Sequence, residues 1–248
     1  MNNLNTPTET IELPSKGLVY SESNPLSSGK IEMKYMTAKE EDILSNQNYI
    51  QKGTVLDELL KSLIVSDVKY EDLIIGDKNA ILVAARILGY GKDYTFTYDG
   101  EEQTVDLSKI DNKLINESLF TKGQNEFSFT LPSTGTNITF KLLTGHDEKK
   151  INAELEGLKK INKFNSPEMS TRLKYIITSV EGNRESKDIR QFVDNHLLAR
   201  DSRALREYIK EVQPDVDLTF FPDGSDTKAD IPVGLKFFWP DIWNSTSS

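Results

Sequence analysis

The sequence predicts an α+β protein of two related halves, on three observations. Stretches of two-residue alternation stand beside apolar residues at helical spacing. Two Asp-Gly pairs, Asp99-Gly100 and Asp223-Gly224, each lie between alternating stretches, the pattern of a β-hairpin. An ordered series of short motifs also occurs twice along the 248 residues.

In the first half, GKIEMKYM (29–36) sets Ile31, Met33 and Tyr35 against Lys30, Glu32 and Lys34, which predicts a half-buried strand. Thr37 with Glu40 three residues later is a capping-box spacing, so a helix through Ile43 and Leu44 is expected with Thr37 as its cap. Leu56, Leu59, Leu60, Leu63 and Ile64 predict a second helix. A third is expected from Asp77, through Ile81, Leu82, Ala84, Ala85 and Leu88, to Gly89 and Gly91. DYTFTYDGEEQTVDL then reads as a hairpin.

The second half repeats this order. LPSKG (13–17) returns as LPSTG (131–135), and IEMKYMTAKEEDI (31–43) is echoed by ITFKLLTGHDEKKI (138–151). DKNA (77–80) corresponds to DSRA (201–204), which makes Asp201 the second helix cap beside Asp77. Tyr94-Thr95-Phe96 aligns with Leu218-Thr219-Phe220 at the start of the final hairpin. Four matches in one order predict a tandem duplication. The expected division is a flexible N-terminal arm (1–12), a first half (13–110), a linker (111–125), a second half (126–243) and a flexible tail (244–248).

Composition limits the function. Net charge is -9 and the pI is near 4.9, so the counterion release that drives nucleic-acid binding is unfavourable and no nucleic-acid partner is expected. There is no cysteine, which excludes disulfides and thiolate metal sites. The N-terminus lacks the basic start and apolar core of a signal peptide. The most apolar run holds Asp77, Lys78 and Arg86, so no membrane span is expected, and the chain reads as soluble and intracellular where it is made.

LIIGDKNAILVAARILGYG (73–91) has the strand, glycine, lysine, helix order of a phosphate loop. It lacks the full G-x-x-x-x-G-K-[ST] pattern, and Asp77 would put negative charge where a phosphate must sit. A helix cap accounts for the same residues. Asp77→Ala is then expected to cost roughly 1 kcal/mol and Lys78→Ala almost nothing. His146 and His196 have no spaced partners for catalysis. DGSDTKAD (223–230) opens like a calcium loop but lacks the glycine and glutamate such a loop requires. No catalytic residue, cofactor or metal is nominated. Phe237, Phe238, Trp239 and Trp243 concentrate aromatic surface near the C-terminus. They close a core or, where exposed, serve as partner-contact candidates.

Taken in order, LPSKGLVY, MTAKEEDIL, LIIGDKNAILVAARILGYG, DSRALREYI and FFWP resemble the base plate protein family of T-even-like contractile-tailed phages, from about residue 11 to residue 240. The resemblance implies a non-enzymatic protein of the baseplate hub. Such a protein acts in hub assembly, as a subunit or chaperone-like factor, through contacts with other hub or tail proteins or a second copy of itself. It also implies a place in the host cytoplasm during assembly or in the virion tail baseplate. Relatives of this kind often carry cysteine pairs at the two hairpins, in an arrangement suited to zinc; the hairpins here have none. A hub-associated cell-wall hydrolase and a nucleic-acid adaptor are the alternative functions.

Overall fold

The first described element is a strand, Thr8–Glu12, within the stretch expected as a flexible arm. In this computed structural model, which describes residues 6–161 and 167–238, β1 (Thr8–Glu12) pairs antiparallel with β2 (Lys30–Lys34). Thr-Glu-Thr-Ile-Glu has a single apolar residue and so shows no alternation. Backbone pairing with β2 holds it rather than burial. Ile31 and Met33 of β2 point into the core, as the alternation requires.

Three short helices follow: α1 (Ala38–Leu44), α2 (Gln47–Lys52) and α3 (Val55–Leu63). α3 buries Val55, Leu59, Leu60 and Leu63 on one stripe. The chain then returns along the free edge of β2. Ile64 bridges Met33, and the Val65 N–H donates to the Glu32 carbonyl at 2.9 Å. α4 (Ile75–Tyr90) lies at the centre, with Ala80 to Ala85 and Leu88 all buried. β3 (Asp93–Tyr98) and β4 (Glu101–Asp106) form the expected hairpin. Asp99 and Gly100 both have positive φ, 49° and 87°, as the tight turn between twisted strands requires.

The second half lays down β5 (Phe127–Thr130), β6 (Asn137–Phe140), α5 (Gly145–Ile161), α6 (Glu168–Ile176) and β7 (Ile177–Val180). β7 pairs with the free edge of β6, and Phe140 opposes Ile177 as Met33 opposes Ile64. α7 (Ser186–Asn195), α8 (Ala199–Val212), β8 (Thr219–Phe220) and β9 (Ala229–Asp230) complete it. The class is therefore α+β, with small antiparallel sheets. Among the described residues no helix is long and apolar enough to cross a membrane.

One apolar core runs through both halves, from Leu13 to Phe238. Segment 111–125, expected as a linker, is fastened at several points. The Lys113 N–H donates to the Asp215 carbonyl, and the Gly123 N–H to that of Leu18. The Asn125 side chain exchanges hydrogen bonds with the Leu142 backbone at 2.8 and 2.9 Å. The N-terminus of α4 meets the chain after α8: Asn79 bonds Asp215 at 2.9 Å, and Gly76 lies against the Pro214 carbonyl.

That approach yields a paired prediction. A Cβ at Gly76 would overlap the Pro214 carbonyl oxygen, which is backbone and cannot swing aside. Gly76→Ala is expected to destabilise by at least about 2 kcal/mol. Gly157, on α5, faces open space, so Gly157→Ala is expected to stabilise by about 0.5–1 kcal/mol. Urea unfolding of the two variants measures both.

Candidate functional site

The repeated motifs converge on two loops, each tied to a helix start by a carboxylate. Asp77 lies in the first turn of α4, three residues past the N-cap Ile74. Its Oδ1 accepts the Ser15 N–H at 2.9 Å, and its Oδ2 accepts Ser15 Oγ at 2.7 Å and the Tyr20 hydroxyl at 2.6 Å. The Tyr20 oxygen in turn accepts the Ile74 N–H at 3.0 Å. The LPSKG loop, the following turn and the start of α4 thus form one buried network. In the second half Asp201 lies at the same helical position, three residues past the N-cap Leu198, and accepts the Ser133 N–H of LPSTG at 2.7 Å.

Asp77 and Asp201 are therefore not N-caps, which corrects both assignments. Each cap lies three residues earlier than expected, at Ile74 and Leu198, and the helices start at Ile75 and Ala199. Each carboxylate reaches out to a loop distant in sequence instead of folding back on its own helix. The first-turn position still places it in the favourable field of the helix N-terminus. The two sites differ in depth. Pro14, Ser15 and Gly17 are buried, whereas Pro132 to Gly135 are exposed. Burial pushes the Asp77 carboxyl above its usual range despite three donors. At Asp201 burial acts in the same direction, but the Ser133 and Thr134 donors outweigh it and the pKa falls.

A second clamp also recurs, over K-x-x-T-x-x-acid. Thr37 is the N-cap residue of α1, and its N–H donates to Glu40 at 3.0 Å. Glu40 also accepts Lys34 and Ser62, each at 2.8 Å, and is fully buried. In the second half Asp147 accepts Lys141 at 2.6 Å and the Thr144 N–H at 3.1 Å. Burial works to raise the Glu40 pKa, but the donors from Lys34, Thr37 and Ser62 prevail and bring it down to about 2.

Lys78, whose replacement by alanine is expected from the sequence to change almost nothing, is largely buried. Its side chain is 17% exposed, with Nζ 4.3 Å from the Tyr70 ring centre and 3.8 Å from Asp57. Sequence reading missed it because Tyr70 and Asp57 come from two different elements. His146 is exposed, with Nε2 3.2 Å from Asp72, and the His196 N–H closes the end of α7 on Phe192. Phe237 and Phe238 are 1% and 0% exposed. They pack in the core, Phe237 edge-on to Tyr94 at 4.7 Å, so they offer no partner surface. Trp239, Trp243 and residues 244–248 lie outside the described residues. Among the described residues no group of three or more His, Asp or Glu is placed to hold a metal ion.

No family model, curated protein or solved structure matches the chain. The site is therefore read from its own geometry. All four motif carboxylates accept hydrogen bonds from the chain itself, and each fixes a loop or helix start.

Two predictions follow from the clamps. Asp77→Ala strands three buried donors and is expected to cost about 3 kcal/mol; Asp201→Ala, whose loop partners are exposed to water, is expected to cost only about 1 kcal/mol. Lys78→Ala is expected to cost about 1 kcal/mol through its lost ring contact. Thermal melts rank the three. The second prediction concerns acid. Glu40 binds its proton less readily in the folded chain, so its stabilisation is complete above its ordinary pKa of 4.5 and lost as pH falls towards about 2. Ion pairs bring Glu71 (Lys149) and Glu154 (Arg190) to about 2 as well. Asp77 acts oppositely: its raised pKa makes the folded chain bind the proton more readily, favouring folding as pH falls. Glu40→Gln is expected to be less stable than wild type at pH 7 and to lose less stability between about pH 4.5 and 2, as read by urea midpoints.

Proposed function

We propose that the chain is a non-enzymatic protein of a phage tail baseplate hub. It acts in assembly of the central hub, as a subunit or chaperone-like factor, through contacts with other hub or tail proteins. Beyond the resemblance of the ordered motifs, one observation supports this reading: all of those motifs but FFWP contribute to the paired, carboxylate-anchored loops and helix starts. Ser15 and Asp77 of LPSKG and GDKNA, Thr37 and Glu40 of MTAKEED, and Asp201 of DSRA bond one another or their neighbours internally. A reactive group would instead face a cavity and a substrate. Residues committed to holding loops in place define a fixed outer shape, and a component of a multi-subunit assembly docks by its shape.

Mass spectrometry of purified particles beside assembly intermediates from infected cells tests the proposal. A fixed number of copies per particle marks a hub subunit. Presence in intermediates alone marks a transient factor. Absence from both, with complete hubs forming when the gene is disrupted, sinks it.

A further inference from the structure

The β1–β2 register fixes which way the backbone of β1 faces. Just beyond its two ends the Tyr35 N–H donates to the Pro7 carbonyl at 3.1 Å and the Leu13 N–H to that of Gly29 at 2.8 Å. In an antiparallel ladder, residues bonded to the partner strand alternate with residues whose N–H and C=O point away from it. Glu9 and Ile11 are therefore bonded to β2, and the backbone groups of Thr8, Thr10 and Glu12 face outward. Glu32, opposite Thr10, turns its own groups to the far side. There its N–H donates to Ser66 Oγ at 2.8 Å and its carbonyl accepts the Val65 N–H at 2.9 Å. The sheet is thus closed by residues 64–66 on one side and open at β1 on the other. Among the described residues nothing bonds the outward groups of β1, whose residues are exposed apart from the half-buried Ile11.

An open strand edge is a template for another strand, and chains commonly guard it with lysine, an internal proline or a bulge. β1 has none of these: it reads Thr-Glu-Thr-Ile-Glu, and its register with β2 is unbroken. Pro14, the next outward position, has no N–H to give, so the usable edge runs from Thr8 to Glu12. Both carboxylates of the strand are engaged within its own sheet. Glu9 accepts the Tyr35 hydroxyl at 2.6 Å, and Glu12 lies 3.3 Å from Lys30 Nζ.

We propose that β1 pairs antiparallel with β1 of a second copy of this chain, about a twofold axis at Thr10, and joins the two sheets into one. With Thr10 opposite Thr10, Thr8 faces Glu12 of the copy and Glu9 faces Ile11, so the whole edge is used and no carboxylate opposes another. The register can move only by two residues, because outward groups must meet outward groups. One such move sets Glu9 against Glu9, and the other brings Pro14 opposite Thr8. A threonine pair across a ladder already occurs in this chain, where Thr95 and Thr104 of β3 and β4 are bonded at 2.9 Å. The twofold pairing uses each edge once and closes at a dimer. A single strand edge is a small contact and each copy carries a net charge of -9, so the dimer is weak and repulsion at a distance opposes it. The pairing is independent of the assembly reading, and its failure leaves the particle experiment standing.

The test is sedimentation equilibrium of the full chain from about 10 μM to about 1 mM. A monomer–dimer equilibrium is expected, tighter at about 150 mM salt than at about 10 mM, where repulsion between the acidic copies is unscreened. Thr8→Lys and Thr10→Lys change the net charge equally, yet the first sets lysine opposite Glu12 and the second sets lysine opposite lysine. The Thr8 variant is therefore expected to dimerise at least about threefold more tightly than the Thr10 variant. Thr10→Pro removes an outward N–H and leaves the bonds to β2 in place, and it is expected to abolish the dimer. Ser128→Pro is the control. The Leu131 N–H bonds the Thr136 carbonyl, so Ser128 is an outward position of β5, and its replacement is expected to leave the dimer intact. Melting curves establish that each variant folds; where Thr10→Pro does not, the lysine pair decides. Amide exchange at Thr8, Thr10 and Glu12 is expected to slow as concentration rises, with Glu9 and Ile11 protected throughout. A monomer at about 1 mM, equal affinities of the two lysine variants, or a dimer that folded Thr10→Pro retains overturns the proposal.

Discussion

The buried carboxylate of Asp77 is the constraint on which the first half depends. A carboxylate removed from water is costly unless donors surround it. Here two come from Ser15 and one from Tyr20, whose oxygen also takes the N–H of Ile74 at the cap of α4. Residues far apart in sequence are thereby locked together at one point. The loop sets where β1 turns into β2, and the cap sets where the central helix begins. Among the described residues no lysine or arginine pairs with this carboxylate, and Ser15 and Tyr20 hold it by hydrogen bonds.

The second half uses the same device with less depth. Asp201 meets the backbone of Ser133, but Pro132 to Gly135 are exposed and supply no tyrosine. The third strand, the K-x-x-T-x-x-acid clamp and the closing hairpin also have counterparts in both halves. The halves nevertheless share one core. Gly76 lies against Pro214, Ile74 bridges Thr144, and Tyr94 packs on Phe237. Shared packing of this kind resists relative motion of the halves, because close-packed interiors deform little. A fixed body suits the proposed assembly role.

Much of the fold was legible because its signals are local. The Asp99-Gly100 turn needs two residues of positive φ, and that pair shows in the sequence wherever it occurs. The stripe of α3 and the alternation of β2 are likewise set by near neighbours. β1 was not legible, since a polar edge strand is defined by the strand it pairs with. The roles of Asp77 and Asp201 were not legible either. An acidic residue at a helix start satisfies capping and loop anchoring equally well, and only the distant serine distinguishes them.

The sequence by itself determined the α+β class, the two hairpin turns, the helical stripes and the ordered motifs of the two halves. Each follows from propensity or period over a few adjacent residues. The tertiary structure alone decided that Phe237 and Phe238 close the core, that Lys78 packs against Tyr70, and that Phe220 of the second hairpin packs on Phe96 and Tyr98 of the first. Those outcomes depend on which distant surfaces meet, and the pairing of surfaces is set by the packing of the whole chain.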